Sequence, residues 1–202
     1  RNSNRYVNRS RTLSKKGKII ALASPSGGGK STMTKRLLND FDNLQFSVSA
    51  TTRSPRKDEA HGKHYYFISK ADFKNKVEQG EFLEWEEFYN GTMYGTLRKT
   101  IENDIEKGYF TLLDVDVLGA LNVKSSFGES AKTIFIAPPS LEVLKQRLIS
   151  RGSETDESLK LRLERAGKEM TYKKQFDNVV VNDDLDEAYS ELKSIITTFI
   201  DK

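Results

Sequence analysis

The chain has 202 residues, enough for one domain of medium size with a substantial core. No apolar stretch approaches the roughly 18 residues that a membrane-spanning helix needs, so we expect no membrane partner. Cysteine is absent, which excludes disulfides and thiolate metal sites and favours a cytoplasmic location.

The excess positive charge lies at the amino-terminal end. The net charge is +4, but seven of the 33 basic residues and none of the 29 acids precede residue 19. The rest of the chain is therefore mildly acidic. Residues 1–16 are polar and have almost nothing apolar to bury, so we expect a disordered basic tail there. We interpret this tail as a solvated extension; the alternative is an arm that contacts RNA. We expect no nucleic-acid partner.

Apolar runs and amphipathic stretches alternate along the chain. The predicted strands are 18–23, 45–50, 64–69, 81–88, 109–116, 133–137 and 178–183. The predicted helices are 30–39, a short one after the Ser69–Asp72 capping box, 97–107, the stretch from Ser140, 159–170 and 185–200. Strands alternate with helices at both ends, which indicates a parallel α/β sheet covered on both faces. The middle segment, 53–96, is richer in short strands and turns and is typical of a small mixed insert.

The stretch "ASPSGGGKST" (23–32) nearly matches the phosphate-binding pattern G-x-x-x-x-G-K-[ST], but Ser24 replaces the first glycine. A predicted strand precedes the loop and a helix begins at its lysine, so free backbone N–H groups and the helix dipole favour bound phosphate. Ser24 precedes a proline and tolerates the extended backbone expected there. The predicted ATP ligands are Ser26, Gly27, Gly28, Gly29, Lys30, Ser31 and Thr32. Lys30 would reach the phosphates and Ser31 would ligate Mg²⁺; the alternative is a simple glycine-rich turn.

Two acids, Asp114 and Asp116, close a buried apolar strand. A carboxylate at that edge, facing the loop, suits the water shell of Mg²⁺ in a phosphoryl-transfer enzyme. The alternative is a pair of ordinary acids at a strand end.

Three arginines, Arg147, Arg151 and Arg162, flank a polar stretch that we interpret as a loop-like lid. Guanidinium groups there would clamp phosphates with bidentate contacts and offset the charge that develops on a transferred group. The alternative is a solvated helix face.

From about Lys18 to Lys202 the chain resembles a guanylate kinase, the family that phosphorylates GMP from ATP. The resemblance rests on these stretches: "SVSATTRSPR" (47–56), "GKHYYF" (62–67), "FLEW" (82–85), "YGT" (94–96), "LLDVD" (112–116), "IFIAPPS" (134–140), "RLISRGSETDES" (147–158) and "VVNDDLDEA" (180–188). It implies a P-loop NTPase-type parallel sheet flanked by helices. The core would comprise residues 17–52 and 97–202, with a helical lid at about 147–165, and a GMP-binding insert would span 53–96. The implied partners are ATP and GMP, with dGMP as a further acceptor, and Mg²⁺ bound with ATP.

The resemblance also implies residue roles. Arg53, Arg56, Tyr65 and Tyr94 would bind the GMP phosphate, and Ser49, Glu84 and Thr96 would read guanine. Asp116 would lie near GMP, Asp114 would approach Mg²⁺ through water, and Asn182 would lie at the adenine edge; Lys30 and the three arginines would be catalytic. Without the family, Glu84 would be interpreted as the exposed face of an alternating strand.

Several points leave alternatives open. Leu118 stands where the family commonly has glutamine, so any role of that side chain is absent. Some domains of this fold bind phosphorylated peptides instead of catalysing, but they usually lose the loop lysine and the lid arginines. Related chains phosphorylate a ribose bisphosphate, which would not need Glu84. The sequence does not distinguish a monomer from a homo-oligomer.

Overall fold

The computed structural model describes residues 16–87, 91–150 and 155–201. In chain order the strands are β1 Lys18–Ala23, β2 Leu44–Phe46, β3 Ala50–Thr51, β4 Tyr66–Phe67, β5 Phe82–Glu87, β6 Met93–Leu97, β7 Phe110–Asp114, β8 Ala131–Ala137 and β9 Asn178–Val181. The helices are α1 Lys30–Asp40, α2 Lys70–Glu78, α3 Arg98–Glu106, α4 Val117–Phe127, α5 Leu141–Ser150, α6 Asp156–Thr171 and α7 Leu185–Asp201.

Five strands form the central sheet in the order β2-β7-β1-β8-β9, and every pair in it is parallel. The middle strand β1 is an apolar run that is buried on both faces, as a parallel sheet requires. Its carboxyl end lies beside that of β7, with Leu22 opposite Asp114. The predicted parallel α/β sheet is confirmed, and the phosphate loop leaves this edge of the sheet.

Two hydrophobic clusters cover the two faces of the central sheet. On one face, Leu22 and Leu112 pack with Met33 of α1 and Leu192 of α7. On the other, the neighbouring strand residues pack against helices α3 and α4. Side chains alternate between the faces of a strand, so consecutive apolar residues of β1 serve both cores.

The middle of the chain forms a second sheet of four strands in the order β4-β3-β6-β5. It is mixed, because β3 pairs with β4 in parallel and with β6 antiparallel. Its own small core contains Phe73 of α2, which stacks on Phe82 at 4.3 Å between ring centroids. We call this sheet with α2 the insert. The division of the chain into a core and an insert at residues 53 and 96 stays a prediction.

Two predictions of local structure were wrong, and one helix was not predicted. The stretch 45–50 is not one strand: β2 ends at Phe46 in the central sheet and β3 begins at Ala50 in the insert, so the alternating pattern spans a crossing between two sheets. Helix α4 follows directly after the predicted strand 109–116, and no element was predicted over its residues. From Asp156 onwards the stretch before Arg162 is helical and not a loop, since α6 begins there and Thr155 and Ser158 form a capping box.

Some predictions fall on residues that the structure does not describe. The predicted basic tail lies outside the described residues except for Lys16, and so does Arg151. Among the described residues, no helix is long and apolar enough to cross a membrane.

Candidate active site

The loop between β1 and α1 is shaped by its glycines. Gly27 and Gly29 have φ angles of 93° and 102°, a left-handed conformation that favours glycine. Gly28 is needed for another reason, because a Cβ there would overlap the hydroxyl of Ser24. Ser24 therefore fills the space that the loop leaves beside Gly28, and its Oγ donates to the Pro25 carbonyl at 3.0 Å. The serine at the position of the missing glycine is accommodated by the loop.

Lys30 begins helix α1, and its side chain lies at the end of strand β7. Its Nζ donates to the Val115 carbonyl at 2.9 Å and forms an ion pair with Asp114. Both side chains are partly exposed, so a phosphate can reach them from solvent. Ser31 and Thr32 follow on the exposed first turn of α1. The structure thus brings together the loop lysine and one of the two predicted strand-end acids.

Asn182 holds the phosphate loop from the other side. Only 5% of its surface is exposed, and its Nδ2 donates to the Gly28 carbonyl at 2.8 Å. A Cβ on Gly29 would overlap this amide, so the glycine allows the contact. The predicted contact of Asn182 with adenine stays a prediction, and the observed amide contact adds a role in fixing the loop.

An open cleft of about 590 Å³ lies beside the loop. It is lined by Gly27, Gly29, Thr32, Val143, Gln146, Arg147, Ser150, Asn182, Asp183 and Leu185. Arg147 forms part of the wall, and its Nη2 donates to the backbone carbonyls of Asn182 and Asp183 at 2.9 and 3.3 Å. A cleft of this volume at the edge of a phosphate loop is large enough for a nucleoside.

Helix α6 contacts the phosphate loop through one of its arginines. Arg162 donates from Nη1 to the Ser26 hydroxyl at 2.7 Å, so one of the predicted lid arginines lies at the phosphate loop. The helix is fixed to α5 by a small apolar cluster of Leu144, Leu148 and Ala166. The two helices therefore form one unit that carries Arg147 and Arg162.

In the insert, Arg53 follows strand β3 and is paired with an acid. Its guanidinium makes a two-pronged contact with Glu59, with both N–O distances 2.6 Å, and lies 5.0 Å from the Tyr65 ring centroid. The Tyr65 ring meets that of Tyr94 edge to face at 5.9 Å. Glu59 also accepts a hydrogen bond from the backbone N–H of Arg56, which is an exposed residue. The four residues predicted to bind a phosphate are thus grouped in this region of the insert.

Hydrogen bonding within this group lowers the pKa of Glu59. Arg53 is the main cause, the Arg56 backbone N–H is the second, and together they bring the pKa to about 2. The same contact with Glu59 raises the pKa of Arg53 above its usual value. Both groups are therefore charged across the physiological range, and an incoming phosphate would share Arg53 with Glu59.

Glu84 lies on strand β5 of the insert. Its Oε1 accepts from the hydroxyl of the cross-strand residue Thr96 at 2.6 Å, and Thr96 is 1% exposed. Burial raises the pKa of Glu84 to about 7, the nearby Asp116 adds to the rise, and the Thr96 bond opposes it. Ser49 is half-buried and directly precedes Ala50, which pairs with Gly95 beside Thr96.

Asp116 lies two residues beyond the end of β7, not within the strand. It is the N-cap of α4, and its Oδ1 accepts from the Gly119 backbone N–H at 2.6 Å. Gly119 itself allows Glu84 to approach, because a Cβ there would lie 2.8 Å from the Glu84 Cγ. The insert and the central sheet therefore meet where Glu84 and Asp116 face each other, and Leu118 on the same turn is 54% exposed.

Comparisons with known proteins point to one family. The family model for guanylate kinase matches residues 16–199. The chain belongs to the guanylate kinase family. It is 50% identical over 184 residues to the guanylate kinase of Chlorobium chlorochromatii, covering 91% of this chain and 96% of that protein. It is 45% identical over 186 residues to that of Bacteroides thetaiotaomicron, covering 92% and 91%. The crystal structure of guanylate kinase from Anaplasma phagocytophilum matches with a TM-score of 0.69 and 34% identity, covering 93% of this chain and 88% of that one.

Three polar residues of this guanylate kinase site were not singled out from the sequence. Glu59 follows Arg56 by three residues and pairs with Arg53, but the sequence did not distinguish it from the neighbouring acid Asp58. Arg165 and Glu169 lie on α6, one turn apart, and form an ion pair with a 2.8 Å contact. Their spacing of four matches a common surface pair on helices, so only the structure distinguishes them from solvated charges.

Proposed function

We propose that the phosphate loop and its cleft bind ATP while the pocket of the insert binds GMP. The chain is a guanylate kinase, which reversibly transfers the γ-phosphoryl group of ATP to GMP to give ADP and GDP. The single observation that supports this arrangement best is the buried carboxylate of Glu84, bonded to Thr96 and facing Asp116. Guanine presents two adjacent donors, N1–H and N2–H₂, to such a carboxylate, whereas adenine has no such pair. A buried acceptor left without partners would penalise AMP.

For the ATP side, we propose that the loop backbone from Ser26 to Thr32 surrounds the phosphate chain. Gly27 and Gly29 hold the left-handed turns, and Lys30 exchanges part of its contact with Asp114 and Val115 for phosphate oxygens. Arg147, Arg151 and Arg162 complete the charge on the far side of the phosphates. Support comes from Arg162, which already contacts Ser26 of the loop. The adenosine would occupy the cleft beside Arg147 and Asn182.

For the GMP side, we propose that Arg53, Arg56, Tyr65 and Tyr94 bind the phosphate. Two guanidinium groups and two phenol hydroxyls can all donate hydrogen bonds to the phosphate, and none of the four adds a negative charge beside it. The rings of Tyr65 and Tyr94 are already in contact. Ser49, Glu84 and Thr96 would read the base, with Asp116 close by. The same pocket leaves the ribose 2′-position without a proposed contact, so dGMP is expected to serve as a second acceptor.

Mg²⁺ fits the donors at the loop. Ser31 presents a hydroxyl on the exposed first turn of α1, and Asp114 offers a carboxylate at the end of β7. The described residues contain no group of three or more His, Asp or Glu side chains that could hold a metal. That agrees with Mg²⁺, which typically binds through one or two protein oxygens together with nucleotide phosphates. We propose Ser31 and, through water, Asp114 as its ligands; when bound, the ion would neutralise charge on the phosphates.

No general base is needed for this reaction. The phosphate oxygen of GMP is already an anionic nucleophile, so the chain's residues contribute positioning and charge neutralisation. Lys30 and the lid arginines would stabilise the charge of the transferred group, while Arg53 and Arg56 hold the acceptor phosphate in line. Closure of α6 and the insert would exclude water, which otherwise accepts the phosphoryl group.

An assay of ADP release with four acceptors tests this proposal. With ATP and Mg²⁺, turnover is expected with GMP and, to a lesser degree, dGMP, and only background turnover is expected with AMP and UMP. Equal turnover with GMP and AMP would contradict the proposed role of Glu84. The proposed setting is purine nucleotide metabolism in the cytoplasm, and the oligomeric state stays open.

A further inference from the structure

We propose that Arg165 is a positioning residue that couples the two nucleotide sites by tying helix α6 to the insert strand that carries Glu84. The inference rests on the proposed roles of Arg162 and Glu84. Arg165 donates from Nη1 to Glu86 Oε1 of β5 and from Nε to Glu169 Oε1 of its own helix, both at 2.8 Å. One guanidinium therefore links the lid helix to the insert.

The helix side of this link leads to the ATP site. Arg162, Arg165 and Glu169 are separated by three and four residues, so they lie on one face of α6. Arg162 contacts the phosphate loop at Ser26. At a rise of 1.5 Å per residue, Arg162 and Arg165 are only about 4.5 Å apart along the helix axis. A nucleotide phosphate that fixes Arg162 must therefore restrain Arg165 as well.

The strand side of the link leads to the GMP site. Glu86 follows Glu84 by two residues on β5, which places the two side chains on the same face of the strand. In the register with β6, Glu86 pairs with Tyr94 and Glu84 pairs with Thr96. The residue that receives Arg165 thus lies between the proposed guanine contact and a proposed phosphate contact.

Glu169 keeps the guanidinium in place. Its side chain is 15% exposed, against 49% for Arg165 and 32% for Glu86. Burial raises the pKa of Glu169, while Asp116 and Lys30 are close enough to act on it. A planar guanidinium held by this carboxylate loses little further freedom when it binds Glu86. The pair within the helix therefore prepares the contact between the helix and the insert.

Such a link makes the two binding events favour each other. ATP orders α6 and GMP orders the insert, so the first ligand removes part of the ordering cost of the second, and the effect is reciprocal. Because Arg165 and Glu86 are partly exposed, the contribution is modest, about threefold in affinity.

Calorimetry measures this coupling directly. GMP is titrated into the full chain with and without saturating adenylyl imidodiphosphate and Mg²⁺, and the ratio of the two dissociation constants is the coupling factor. Arg165→Gln and Glu86→Gln are each expected to lower the factor about threefold. The double variant is expected to lose no more than either single variant, because both remove the same contact. Arg165→Lys, which keeps the charge without the fork, is expected to lie between wild type and Arg165→Gln.

Lys168→Gln is the matched control, since it removes one positive charge from an exposed position on the same helix; its coupling factor is expected to equal that of wild type. A wild-type factor of one, an unchanged factor in Arg165→Gln, or additive losses in the double variant would overturn the coupling role. These results would leave the proposed function intact if wild type still binds both nucleotides. Failure of wild type to bind GMP at all would instead overturn the proposed function together with this inference.

Discussion

The phosphate loop and the pocket of the insert hold their polar groups in different ways. The loop is one contiguous strand–loop–helix segment whose binding groups are largely backbone N–H groups, fixed by glycine geometry and by Asn182. The proposed GMP site of the insert consists of side chains from several strands and loops, and some of them are already paired, as Arg53 is with Glu59 and Glu84 with Thr96. In the proposed arrangement the backbone of the loop is preformed for phosphate and only Lys30 exchanges partners, whereas in the insert most of the binding side chains must exchange internal partners for a ligand. Selectivity is therefore expected to reside in the insert and rate acceleration in the loop.

Replacing Lys30 with alanine tests the loop side of this comparison and has the largest expected effect. The variant loses the cation that Asp114 and the Val115 carbonyl now hold beside the loop. We expect kcat for ADP release to fall about 10³-fold, because an electrostatic contact in the transition state is removed. Lys35→Ala, at an exposed position of α1, is the matched control and should keep wild-type turnover. An active Lys30→Ala enzyme would remove the loop lysine from the mechanism.

Replacing Glu84 with glutamine tests the insert side. The amide keeps an acceptor for Thr96 but turns a donor toward guanine, so kcat/KM for GMP is expected to fall about 100-fold while that for AMP changes little. The measurement is the ratio of kcat/KM for the two acceptors. Glu87→Gln, on the same strand and exposed, serves as the control. If the GMP/AMP ratio did not change, guanine would have to be read elsewhere.

The sequence showed the two sites unequally for a physical reason. Lys30 and the three glycines are close together in the sequence, so their pattern is visible in one stretch. The same stretch also indicates that the loop tolerates Ser24 in place of glycine. Glu84 has the alternating neighbours of an exposed strand, so only the family resemblance pointed to it. Its burial comes from Gly119 and helix α4, which belong to another part of the chain and pack against β5. Helix α4 was missed, and with it the N-cap position of Asp116. The positions of Glu59, Arg165 and Glu169 in the structure depend on contacts between or along surface elements. The charge pattern of the sequence alone does not distinguish such paired residues from solvated ones.

The stability of the Glu84→Gln variant sharpens the comparison, because the pocket holds its carboxylate at a cost to the fold. The folded-state pKa of Glu84 is about 7, above the ordinary value of 4.5 in the unfolded chain. Its contribution to stability is therefore fully present below pH 4.5 and is lost as pH rises through 7. At pH 8 we expect Glu84→Gln to be more stable than wild type by about 2 kcal/mol, less than the whole shift implies because the amide is also buried.

Urea unfolding of both proteins at pH 5 and pH 8 measures this difference. The gain should be largest at pH 8 and nearly absent at pH 5, where the wild-type carboxyl is protonated in the folded state. Lower stability of Glu84→Gln at pH 8 would show that the carboxylate is not strained by burial.

The pH dependence of GMP binding is a smaller effect than these and separates the two sites most directly. Only the ionised form of Glu84 can accept both guanine donors, and with a pKa of about 7 about a tenth of the ligand-free enzyme carries it at pH 6. We therefore expect KM for GMP to rise about tenfold from pH 8 to pH 6, whereas KM for ATP, bound by backbone N–H groups and lysine, should change little over the same range. The phosphate of GMP also titrates in this range, so Glu84→Gln provides the reference: whatever pH dependence it retains belongs to the ligand, and the difference from wild type belongs to Glu84. Parallel profiles for the two enzymes would mean that the carboxylate is already ionised before GMP binds, and that the insert selects guanine without a proton being released.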